Sequence, residues 1–172
     1  MKLKKLARIA LVTLVAFMPA SSFAWSDSVY RLVIRKAIDT LPKGQKKYFE
    51  DHKYEMPSLT PDEDAPVRPE GRRFALELLG SFPFKDVPQE ESAVGAKADI
   101  RLVGRLPFLL LDAQRRLVAA FKEGDKEKIL RAADDVAILA ADLNNPLLMT
   151  ENFDGQKTDQ AGVAKRFGAR LP

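Results

Sequence analysis

The chain has 172 residues, with 28 Lys and Arg against 24 Asp and Glu, a formal net charge of +4. Lys2, Lys4, Lys5 and Arg8 precede the first acid, Asp27, and account for the whole excess, so the rest of the chain is formally neutral. A neutral remainder gives no strong nucleic-acid signal, because such binding draws on Lys and Arg neutralising phosphates. The absence of cysteine excludes disulfides and thiol chemistry, and the single histidine, His52, excludes a zinc site of the usual His/Cys kind.

Residues 9–24 are apolar or small and follow the basic start, the pattern of a secretory signal peptide. Ser22 and Ala24 suit the −3 and −1 positions, so cleavage is expected after Ala24. The expectation is a secreted or periplasmic protein with signal peptide 1–24 and one domain over 25–172. Beyond the leader no apolar run approaches the ~20 residues that span a bilayer.

Residues 27–41 place Val29, Leu32, Val33, Ala37, Ile38 and Leu41 at helical spacing, with Asp27 or Ser28 as cap and Pro42 as stop. A short helix after Gly44 carries Tyr48, Phe49 and His52; the histidine lies in EDHKYE and reads as a solvated surface residue. Residues 57–69 hold four prolines and read as a loop. Pro69 suits the start of a helix over 70–79, ended by Gly80. Residues 81–88 read as extended, and 89–103 as a helix weakened at Gly95. A long helix begins at Pro107 and stops at Gly124. Asp125 caps the next, whose broad apolar face includes Ile129, Leu130, Ala133, Val136, Ala137, Ala140 and Leu143. After Asn144-Asn145-Pro146 and a polar stretch, a last short helix covers 161–170. The fold class is all-α, a single-domain helical bundle.

Three groups of residues could carry chemistry. Asp134 and Asp142 share a helix face, with Asp135 nearly aligned, and paired carboxylates can do acid–base work when their pKa values are pushed apart. The better reading is solvated Asp134 and Asp135, with Asp142 bonding a helix end or Arg73. The stretch TENFDGQKTDQ offers Thr150, Glu151, Asn152, Asp154, Gln156 and Asp159 as oxygens for a hard cation, but its spacing is not an EF-hand and it reads better as a turn. RRF at 72–74 and KRFGAR at 165–170 interleave cations with aromatics; in a neutral chain they read as helix faces with snorkelling cations.

Trp25 at the expected new N-terminus, an immediate helix, and the late segment AADLNNPLLMTENFDGQKTDQAGVAKRF together resemble the zinc-dependent phospholipase C and single-strand-specific nuclease superfamily, closest to its secreted bacterial branch. PEGRRFALELLGSFPFKDVP, GRLPF and LVAAFKEGD extend the resemblance over most of the chain after the leader. It implies an all-α fold of phospholipase C/nuclease-like type and a three-zinc cluster that hydrolyses phosphodiesters. It also implies that the chain stops short of the family's usual length.

The ligand positions implied by the resemblance are largely substituted. Trp25 keeps its amine and carbonyl oxygen, Asp142 remains, and Asp62 or Asp64 of the PDED stretch falls where another ligand is expected. Tyr30, Arg73, Ile138 and Leu148 stand where histidines are implied, and Ala164 and Gly168 replace the last His and acid pair. Such a set cannot hold three dications, and without zinc no bound water is acidified. Arg73 would set a fixed positive charge in the metal's place and pair with Asp142 or the PDED acids. The expected function is a secreted or periplasmic pseudoenzyme, with no catalytic residue, cofactor or metal. It would act as a binding or partner protein toward an active family relative or a small ligand in the former cleft. The alternative is an active phosphodiester hydrolase, phospholipase C-like or nuclease-like, with zinc in a reduced or unusual site.

Overall fold

The computed structural model describes residues 25–59 and 71–169; residues 1–24, expected to be a signal peptide, and the acids Asp62 and Asp64 lie outside them. The described residues are all-α, with no strand among them. In chain order the helices are α1 (Asp27–Asp39), α2 (Lys43–Asp51), α3 (Glu91–Val94), α4 (Ile100–Val103), α5 (Leu106–Glu123), α6 (Lys126–Leu143) and α7 (Val163–Ala169). Single 3₁₀ turns lie at Lys53–Glu55, Leu76–Leu78 and Pro146–Met149. None of the described helices is long and apolar enough to cross a membrane.

The α5–α6 hairpin is the frame. Gly124 takes a left-handed conformation, φ 69° and ψ 19°, which glycine adopts without a Cβ penalty, and so closes α5. Asp125 then caps α6, its side chain accepting from the Lys128 N–H at 3.0 Å. The same bond holds the Asp125 carboxyl below its ordinary range. Both helix ends follow the sequence expectation. α1 crosses α6, and Ser26 rather than Asp27 or Ser28 stands at its N-cap position, with no side-chain cap bond.

α6 runs between two apolar clusters. Leu139 packs with Phe74, Val103, Leu106 and Leu148, while its neighbour Ile138 packs with Tyr30, Ile34, Met56 and Leu130. Apolar area on two sides of one helix fixes its rotation, since turning it would expose one set or the other.

The helix expected over 70–79 does not form from Gly71 onward; only Leu76–Leu78 makes a 3₁₀ turn. The backbone of this stretch is engaged elsewhere. Phe74 N–H donates to Leu148 O at 2.7 Å, Ala75 N–H to Val103 O at 2.8 Å, and Leu106 N–H to Arg73 O at 3.1 Å. Tertiary hydrogen bonds thus replace the helical ladder, and local propensity yields. Gly104 permits the crossing: at φ 93°, an added Cβ would lie 2.1 Å from Arg73 O. Residues 81–88 form turns rather than an extended strand, with a cis Phe82–Pro83 bond. The helix expected over 89–103 is split into α3 and α4, and Asp99 caps the second by accepting from Arg101 N–H.

Candidate functional site

The C-terminal turn of α6 brings a carboxylate, a phenol and a guanidinium together. Asp142 is fully buried. Tyr30, from α1, donates its hydroxyl to Asp142 Oδ1 at 2.5 Å. Arg72, from the extended stretch, donates Nε to Asp142 Oδ2 at 2.7 Å and Nη2 to Tyr30 Oη at 2.7 Å, with Nη2 also on Asp142 Oδ2. The guanidinium lies 5.5 Å from the Tyr30 ring centroid, so it also meets the ring's negative face. The proton arrangement is self-consistent: the phenol donates to the carboxylate and accepts from the cation. Burial, followed by the Asp142 charge, raises the Tyr30 pKa well above its ordinary value, so the phenol keeps its proton.

The cation that meets Asp142 is Arg72, one residue before the position expected from the resemblance. Arg73 points away; its guanidinium donates to Arg101 O at 3.1 Å and lies 5.0 Å from the Phe153 ring centroid. In an extended stretch consecutive side chains diverge, so a shift of one residue decides which reaches the interior.

The other positions picked from the sequence gather around the same end of α6. Trp25 donates Nε1 to Ala141 O at 3.1 Å, and its ring stands 5.6 Å from Phe167 of α7. Ile138 is buried one turn before Asp142. Leu148 is buried in the other cluster, and its carbonyl accepts from Phe74. Ala164 and Gly168 are buried on α7. Zinc, implied by the resemblance, does not fit these donors. The protonated phenol is a weak ligand, the guanidinium has no lone pair to give, and Ile138 and Leu148 have no donor atom. The described residues contain no group of three or more His, Cys, Asp or Glu that could hold a metal ion.

The three acids of α6 do not form one site. Asp134 is buried and accepts from Ser58 N–H at 3.2 Å and Ser58 Oγ at 2.7 Å. Eight residues of helix separate it from Asp142, about 12 Å of rise, too far for two carboxyls to share a proton or a substrate bond directly. Asp135 pairs with Arg116 at 2.9 Å on the surface. The oxygens of 150–159 are largely spent on this segment and on the start of α7. Asp154 accepts from Gly162 N–H at 2.8 Å and Ala164 N–H at 3.1 Å, and Asn152 Oδ1 from Lys157 N–H at 2.7 Å. His52 Nδ1 lies 2.8 Å from Glu55 Oε1, and Glu55 is held below its ordinary range first by the hydrogen bond from Lys126 and then by His52.

Sequence reasoning missed the burial of Asp134. Its signal was present: Leu130, Asp134, Ile138 and Asp142 form one i, i+4 ridge, and Leu130 and Ile138 are both core residues. The fold and this centre define an all-α protein organised around a buried Tyr–Arg–Asp cluster. No protein-family model, curated protein or solved structure matches the chain.

Proposed function

We propose that this chain is a secreted or periplasmic, non-catalytic binding or partner protein of phospholipase C/nuclease-like fold, in which an ion-pair cluster fills the place of the zinc centre. One observation carries the reading. The residues that the resemblance assigns to ligand positions come from opposite ends of the chain, yet Tyr30 and Asp142, 112 residues apart, are in direct hydrogen-bond contact. Trp25 rests on Ala141 beside them. Convergence of those positions supports the family topology, and the groups found there support loss of the metal. Arg72 neutralises the one carboxylate retained in the late helix, and Ile138 supplies hydrocarbon where a nitrogen donor is implied.

The test is elemental analysis of the purified mature chain, alongside hydrolysis of single-stranded nucleic acid and phosphatidylcholine with added Zn²⁺. The reading expects substoichiometric zinc and no turnover. Stoichiometric zinc, with turnover lost in Asp142→Asn, would sink it in favour of a phosphodiester hydrolase with an unusual metal site. Export is tested separately: N-terminal sequencing of the protein recovered outside the cytoplasm should begin at Trp25.

A further inference from the structure

We propose that the Arg72 guanidinium is a built-in structural cation, joining α1, α6 and the stretch after Gly71, and that removing it opens a site for free guanidinium ion. The comparison with a lost metal rests on the proposed function; the geometry of the cluster does not.

One planar group makes three contacts with two segments. Its Nε and Nη2 atoms face Asp142 Oδ2, and Nη2 also reaches Tyr30 Oη. These acceptors lie on helices far apart in sequence, so the guanidinium bridges them as a coordinating ion would. A fork of coplanar N–H groups suits this task, whereas an ammonium is a point charge on a flexible stem. The cation is delivered at a fixed place. Two residues beyond Arg72 the backbone is held by Phe74 N–H on Leu148 O, and on its other side Arg105 N–H donates to Gly71 O at 2.8 Å.

Accessibility makes the site reachable. The Asp142 side chain is fully buried while that of Arg72 is 14% exposed, so of the two it is the Arg72 side chain that reaches solvent. Truncation at Cβ would take the guanidinium from beside the carboxylate and phenol and free its volume. A free guanidinium ion has the same plane and charge as the headgroup removed and carries all of its N–H donors. The tether supplies the chain's own cation at high effective concentration, so the native protein has no vacancy for a second.

The experiment is chemical rescue in the full mature chain. Arg72→Ala should melt about 10 °C below the native protein, as expected when one partner of a buried pair is removed. Guanidinium chloride at about 20 mM should raise the melting temperature of the variant by several degrees through binding to the folded state. The same concentration should not raise that of the native protein, and sodium chloride of equal ionic strength should not rescue the variant. Arg72→Lys should recover only part of the loss. If Arg72→Ala does not fold on its own, the readout becomes the yield of folded protein on refolding with guanidinium against sodium chloride, and higher yield with guanidinium supports the proposal. A variant melting within about 2 °C of native, or rescue no better than sodium chloride, overturns it. Zinc content and turnover of the native chain bear on the functional reading alone, so the two can fail separately.

Discussion

Asp134 and Asp142 lie two turns apart on the same ridge of α6, and both are buried, yet the described residues meet them in different ways. Asp134 receives an amide and a hydroxyl from Ser58, both from one residue. Asp142 receives a phenol and a guanidinium from two separate segments. Removing a carboxylate from water is costly unless hydrogen bonds or an opposite charge replace the lost hydration. The first acid fixes one backbone position; the second ties α1 and the stretch around Arg72 to α6. Ser58 and Arg72 stand on either side of residues 60–70, so one helix anchors the chain both before and after that stretch.

The contrast can be broken from the Asp142 end first. Asp142→Asn should cost about 3–5 kcal/mol in urea unfolding, because it takes from Arg72 the carboxylate that it meets among the described residues. Tyr30→Phe should cost about 2 kcal/mol, losing one hydroxyl that bonds to two charged groups. The same variant separates the alkaline behaviour. The phenol's folded pKa is raised above its unfolded value near 10, so the folded state holds its proton more tightly. Its contribution is fully present below about pH 10 and is lost as pH rises further, toward the folded value. Melting temperature against pH should therefore fall more steeply in the native protein than in Tyr30→Phe above about pH 10. Equal slopes would remove the phenol from the account.

Ser58→Ala sharpens the other side. Loss of the hydroxyl donor to buried Asp134 should cost about 1.5 kcal/mol, with no change in the alkaline slope. The smallest effect is expected at Trp25→Phe, about 1 kcal/mol, since the ring contact with Phe167 can persist while the bond to Ala141 O is lost. A Ser58→Ala effect larger than that of Asp142→Asn would reverse the comparison.

The regular parts of the fold were the readable ones. The α5–α6 hairpin is written locally: Gly124 stops one helix, Asp125 starts the next, and the apolar spacing of each matches a helical period. From Gly71 local propensity favours helix, but the bonds that hold the stretch extended come from Leu148, Val103 and Leu106, which propensity cannot register. The site divides in the same way. Tyr30 and Asp142 were singled out through the resemblance, and their contact is direct. The resemblance points to Arg73, whereas Arg72 turns inward, a difference of one residue that only the tertiary course of this irregular stretch decides. Asp134 needed only a stricter reading of the ridge that also holds Leu130 and Ile138.

Gly104 has no side chain to lend to the cluster, yet the backbone of Arg73 passes within a Cβ's reach of it. Any larger residue there would push apart two crossing chain segments, and the displaced partner is the one that presents Arg72. In a random mutational screen Gly104 should therefore score like a member of the cluster, and Gly104→Ala should uncouple the guanidinium from Asp142 without altering either group.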